Sequence, residues 1–585
     1  MAKKKVLVTV VAVGLALGLA ACGGKTDDTK TANAGASAFN AANGSVVNPS
    51  DVKGGTLKLA NSSDADSWDP ARAYYAWVWD MNRLYSRTLM TYDAKAGKDG
   101  LGLVPDLAAK APEISADGKT YTFTLKDGVK FEDGTAITSK DIKYGIERTF
   151  AQDVLSGGPT YLIDFLDQGQ GYKGPYKDTD PNKLGLKSVQ TPDDKTIVFT
   201  LKEAFGDFQY LLAMAAAAPV PQKADTGDKY GSKPVSSGPY KFESYEPGKS
   251  VKFVRNTAWD PATDTVRKAL PDAIDLTLGL DPAEIDNRLL SGAIDIDTGQ
   301  TGVQAAAQAK IMLDKDLKAN ADAPNTGFIR YIALSNNVAP FDNEHCRKAV
   351  QYATDKVALQ TDRGGADAGG DIATNMLPPN IAGHVDSYDP YNTKSGKPQI
   401  EKAKEELALC GKPNGFDTII AVRNKGKEPK TAESLQAALK AVGINATIEK
   451  HEAAVYYKSV VGSPDNVHKK GYGIIFSGWG ADWNTGYGYL RALVDGRAIL
   501  ANGNNNFAEI NSPEINSLID QVTAEPDATK QAALWTKINE KVMENAGLIP
   551  FVYDKALNYR GKRLTNVYVH EAFGMVDFGS LGIAQ

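Results

Sequence analysis

Histidine and cysteine are scarce in this 585-residue chain, at five and three, and the scarcity excludes several chemistries. An imidazole and thiolate metal site needs a cluster of such ligands. Two partial H-E-x-x-H patterns, at His451-Glu452 and His570-Glu571, each lack the second histidine. The nucleophile elbow G-x-S-x-G is missing. Gly248-Lys249-Ser250 and Gly118-Lys119-Thr120 have the end of a P-loop without the glycine five residues earlier. A basic excess is also missing: the net charge is −5 and no basic patch stands out, which argues against nucleic acid as a partner. Past residue 21 no stretch is apolar enough to cross a bilayer. The expectation is a protein that is not an enzyme, with no metal and no cofactor.

The first apolar run is too short to span and reads as a leader. Lys3, Lys4 and Lys5 precede an apolar and glycine stretch, polar only at Thr9, that ends in Leu19-Ala20-Ala21-Cys22. Small residues before a cysteine predict cleavage after residue 21 and a diacylglycerol on Cys22. Two acyl chains suffice to anchor the chain to the lipid bilayer. This predicts an extracytoplasmic protein held at the outer face of the cell membrane. Residues 22–52 are Gly, Ala, Ser, Thr, Asn, Asp and Lys with little that is apolar, the composition of a flexible tether.

With Cys22 assigned to lipid, Cys346 and Cys410 remain as an even pair in an oxidising compartment, and a disulfide is expected. The body is too long for one core, so two or three domains are expected. Its 25 tyrosines and 7 tryptophans suit cores and a ligand cleft alike. Thr120 to Leu125 alternates as a strand between Asp-Gly turns, and Ser139 reads as the N-cap of a helix. A similar strand recurs at 196–201. Helices are expected near 343–354, 399–410, 430–442 and 529–545, the third closed by Gly443. Gly473 to Phe476 reads as a short strand, and residues 548–553 as another.

The stretch from Asp117 through Phe131, with Asp133-Gly134 and Ser139 to Ile142, resembles the extracellular solute-binding proteins of family 5. These are the oligopeptide- and dipeptide-binding components of ABC importers. Further segments keep the family's order: Val104-Pro105-Asp106, Ser237-Gly238-Pro239-Tyr240, Pro340-Phe341-Asp342 and Trp479-Gly480-Ala481-Asp482-Trp483. The resemblance implies an α/β, two-lobed periplasmic-binding-protein-like fold of type II with a satellite domain. It implies lobe I at 53–92, 235–328 and 553–585, the satellite at 93–234 and lobe II at 329–552. The hinge would be two crossing strands near Phe328-Ile329-Arg330 and Phe551-Val552-Tyr553.

The same resemblance nominates the ligand site. Asp482 would accept a peptide's α-ammonium, since a closing cleft needs a fixed counter-charge for a buried cation. Gly478, Trp479 and Gly480 would offer backbone groups to an extended peptide by strand addition, with Trp479 and Trp483 as cleft walls. Arg423 would clamp the ligand's carboxylate. Arg72, Ala73 and Tyr74 would come from lobe I. Asn484-Thr485-Gly486-Tyr487 departs from the family pattern after the aspartate and leaves the adjoining pocket open. The expected function is a monomeric, lipid-anchored binding protein that delivers peptides to ABC permease subunits. The alternatives are another solute, such as an oligosaccharide, nickel chelate or haem, and more remotely a secreted enzyme.

Overall fold

The structure, a computed structural model, describes residues 38–584. The expected leader at 1–21, Cys22 and the first part of the tether lie outside the described residues. The later part of the tether does not behave as one. Ala42 and Val47 are buried, the Asn40 amide donates to the Ala321 carbonyl, and Val47 bridges to Val567. Composition misses this because few apolar side chains, Phe39, Ala42 and Val47 among them, do the packing, and much of the rest is hydrogen bonding to the body, as by Asn40 to the Ala323 amide and Asn48 to the Leu564 carbonyl.

Among the described residues three larger sheets carry the fold. A five-stranded mixed sheet has the order Ile296–Asp297, Thr56–Ala60, Ala273–Thr277, Ser250–Arg255, Tyr240–Glu246. Its central strand Ala273–Thr277 is parallel to Thr56–Ala60 and antiparallel to Ser250–Arg255. A four-stranded antiparallel sheet joins Glu113–Ile114, Thr120–Thr124, Thr196–Thr200 and Val189–Gln190. The two alternating segments expected from sequence are its central pair. Tyr121 lies opposite Phe199 and Phe123 opposite Ile197, and all four side chains are buried in one core.

The six-stranded sheet has the order Asp371–Ile372, Leu548–Lys555, Asn325–Leu334, Ile474–Gly480, Asp417–Arg423, Asn445–His451. Its central strands are buried on both faces. Ile329, Tyr331 and Ala333 enter one core while Ile332 and Leu334 enter the other, the period-two consequence of a pleated strand covered on both sides. Asn325–Leu334 and Leu548–Lys555 lie side by side, antiparallel, with an irregular register between Asn325 and Ile329. They contain both segments expected at the hinge. The fold is the two-lobed, type II binding-protein architecture.

Local corrections are small. The helix Ser139–Arg148 is capped by Thr138, not Ser139. Asp141 accepts the Thr138 amide and hydroxyl, while the Ser139 hydroxyl donates to the Asp193 carbonyl at 2.6 Å. Cys346 and Cys410 are bonded, with Cα atoms 5.2 Å apart, joining the helix Glu344–Ala353 to the end of Ile400–Leu409. The strand at 474 runs on through Gly480, so Ser477-Gly478-Trp479-Gly480 is sheet and not a loop.

Candidate functional site

The extended strand Ile474–Gly480 explains the site. On one side it pairs fully with Asn325–Leu334, placing Gly478 opposite Arg330 and Gly480 opposite Phe328. On the other it pairs with Asp417–Arg423 only at Ile474 and Ile475. Beyond that the two strands part, and Gly478, Trp479 and Gly480 line a cleft of about 760 Å³. The glycines have a second role. A Cβ on Gly478 would lie 2.6 Å from an Arg330 guanidinium nitrogen, and one on Gly480 would lie 2.7 Å from the Phe328 ring. Their missing side chains let Arg330 and Phe328 lie across the strand.

Asp482 follows immediately and lines the same cleft. Its Oδ2 accepts the Tyr74 hydroxyl at 3.1 Å and the Tyr161 hydroxyl. No cation pairs with it among the described residues. Burial raises its carboxyl to about 6, against the stabilising hydrogen bonds of Tyr161 and Tyr74. Burial and the Asp482 charge raise the Tyr74 phenol well above its usual range. Tyr74 is placed by its backbone amide, which donates to Asp66 at 2.6 Å, and by edge contact with Trp79. Tyr161 heads the short helix Tyr161–Leu166. No motif in the sequence marks it.

Much of the remaining lining is cationic. Arg330 and Arg363 share one carboxylate, Asp554, at 2.6 Å and 3.0 Å. Burial, the largest single effect, pushes the Asp554 carboxyl up, but the charges and hydrogen bonds of Arg330 and Arg363 together outweigh it and hold it below the usual carboxylate range. Lys425 and Lys427 also line the cleft, and neither pairs with a carboxylate among the described residues. Lys427 donates to the Arg363 carbonyl. Its ammonium is held below the usual lysine range, by desolvation first and then by the Arg363 charge. Arg423 lines the cleft but is already engaged. It forks onto Glu428 and lies 4.8 Å over the Tyr457 ring. The expected clamp therefore has its counter-ion within the protein.

Three other expected residues lie elsewhere. Trp483 is 2 % exposed, donates to Asp207 at 2.8 Å and stacks on Tyr487 within the core of the four-stranded sheet. It is a core residue because the chain after Asp482 turns into that core. Arg72 reaches the Ser156 carbonyl at 3.2 Å. Ala73 is buried, and its carbonyl takes the Trp79 indole N–H. Neither Arg72 nor Ala73 lines the cleft, whereas Tyr74, the next residue, does.

A family model for bacterial extracellular solute-binding proteins, family 5, middle region, matches residues 102–499. The chain therefore belongs to the family 5 extracellular solute-binding proteins. A solved structure titled clavulanic acid biosynthesis oligopeptide binding protein 2 superimposes with a TM-score of 0.90 at 44% identity, covering 94% of this chain and 99% of that one. The heme-binding protein A of Haemophilus influenzae is 28% identical over 509 residues, 83% of this chain and 85% of the relative. The glutathione-binding protein GsiB of Escherichia coli is 25% identical over 488 residues, 82% and 86% of the two chains. These relatives are named as binding proteins, not as enzymes.

Proposed function

We propose that this chain captures peptides with a free amino terminus and delivers them to the permease of an ABC importer, anchored to the membrane by lipid on Cys22. The observation that carries the reading is Asp482. A partly buried carboxylate facing the ligand space with two phenols and, among the described residues, no cation is an incomplete ion pair. Leaving it incomplete is costly, and a ligand ammonium completes it. The parted strand edge at Gly478, Trp479 and Gly480 supports capture of an extended main chain by strand addition, which reads backbone and not sequence. The cationic wall of Arg330, Arg363, Lys425 and Lys427 supports a carboxylate at the other end. The 44% identical relative named as an oligopeptide binding protein supports the same ligand class.

A second reading is a carboxylate-bearing solute that is not a peptide, favoured by the excess of cations on that wall. Calorimetric titration of one tripeptide, free and N-acetylated, separates the two. Acetylation removes the cation and should cost a hundredfold or more in affinity, since stranding one member of a buried charge pair costs about 3–5 kcal/mol. Equal affinities would favour the second reading.

A further inference from the structure

Behind Asp482 lies a second cavity, of about 70 Å³, which shares Asp482, Ala481, Trp79 and Phe328 with the cleft. Aromatic rings, among them Tyr92, Tyr210 and Phe573, form its walls. Its polar lining carries unmade hydrogen-bonding capacity, and its one carboxylate is Asp482. The lining cations are spoken for: Arg83 lies 3.0 Å from Asp80 and 2.7 Å from Asp577, and Arg267 pairs with Asp106 at 2.7 Å and Asp264 at 3.0 Å. By contrast Asn484 is 5 % exposed, and neither its Oδ1 nor its Nδ2 has a hydrogen-bond partner. Asn380 is equally buried with an unpartnered Oδ1, and the Arg83 Nε–H is also unpartnered. Native interiors rarely leave such groups unmade, because each costs its full desolvation penalty.

We infer that this chamber is the subsite for the first side chain of the bound peptide and that it selects a carboxamide. The inference rests on the reading of Asp482 as the partner of the ligand's ammonium. The side chain of the first residue leaves the carbon that bears that ammonium, and the chamber borders Asp482. The unpartnered groups include both donors and acceptors, the complement of a carboxamide's own oxygen and NH₂. The volume suits the length: about 70 Å³ has room for roughly five water-sized atoms, and a glutamine side chain has five heavy atoms. A lysine would enter without a spare counter-charge, Asp482 being taken by the ammonium. A glutamate would bring a second carboxylate beside Asp482. An apolar chain would strand the asparagines.

The test is calorimetry on the intact chain with four tripeptides, X-Ala-Ala, where X is Gln, Met, Glu or Ala. The glutamine peptide should bind about tenfold or more tighter than its methionine near-isostere and than the other two. Asn484→Leu and Asn380→Leu replace unpartnered amides with apolar groups of similar size, and each should move the Gln-to-Met affinity ratio toward one. Equal binding of all four peptides would overturn the chamber assignment and leave the peptide reading standing. So would a Gln-to-Met ratio unchanged in both variants. Failure of all four peptides to bind would overturn the peptide reading on which the assignment rests.

Discussion

Asp482 brings together the opposed demands of folding and binding on one carboxyl group. Burial raises it to about 6, above the 3.8 of an exposed aspartate, so the folded empty protein holds its proton more tightly than the unfolded chain. Two consequences follow with definite sign. Peptide binding through an ammonium needs the ionised form, so affinity should fall as pH drops through about 6 and level off above it. The stability contributed by the proton is fully present below 3.8 and lost as pH rises through about 6. Asp482→Asn removes this dependence. At pH 8 the empty variant should be as stable as the wild type or more so, by at most about 3 kcal/mol, while binding the peptide far more weakly. Thermal melts at pH 5 and pH 8 check the stability, and titrations at the same pH values check the affinity. A variant less stable at pH 8 would show Asp482 to be a structural residue.

Among elements, the helix pair Glu344–Ala353 and Ile400–Leu409 shows how a covalent link and packing divide the work. Ala349, Val350, Ala403 and Leu407 are buried together against the six-stranded sheet, and the Cys346–Cys410 bond closes a separation of 64 residues. For a loop of this length the chain-entropy account gives about 4 kcal/mol as an upper figure. Replacing both cysteines by alanine should therefore lower unfolding stability by about 2–4 kcal/mol in a denaturant titration. Neither cysteine lines the cleft, so peptide affinity should be unchanged. The strand Ile474–Gly480 shows the complementary case. There the sheet uses glycine to seat the side chains of its neighbour, and the same glycines leave a bare backbone edge toward the ligand space.

For the whole molecule, the strands Asn325–Leu334 and Leu548–Lys555 pair within the six-stranded sheet and hold the segments expected at the hinge. Residues from widely separated parts of the chain, Tyr74, Tyr161 and Asp482, meet around one oxygen. Such an arrangement is suited to hinge closure, in which a few residues of the connecting strands absorb the change in backbone angle. Small-angle scattering should show a smaller radius of gyration when peptide saturates the protein than in its absence. Binding without contraction would mean that the cleft takes its ligand as a rigid slot.

What the sequence determined alone is what local physics writes into it. Tyr121 and Phe123 alternate because one face of their strand is buried. Cys346, Ala349, Val350 and Ala353 recur at helical spacing because one face of their helix is buried. Two cysteines left over in an oxidising compartment pair with each other. The family was legible in the Asp117 to Phe131 segment, and a cleft position for Asp482 in the motif that contains it. Only the tertiary structure could decide which wall each side chain meets. Trp483, one residue from Asp482, belongs to a different core. Arg423 is occupied by Glu428, whereas Arg330 and Arg363 meet around Asp554, which lies 224 and 191 residues away in sequence. Tyr161 reaches Asp482 across a separation of 321 residues. A charge or a ring carries no local record of its partner, because that partner is chosen by which strands become neighbours, and the sequence pattern of either strand is the same whichever neighbour it finds.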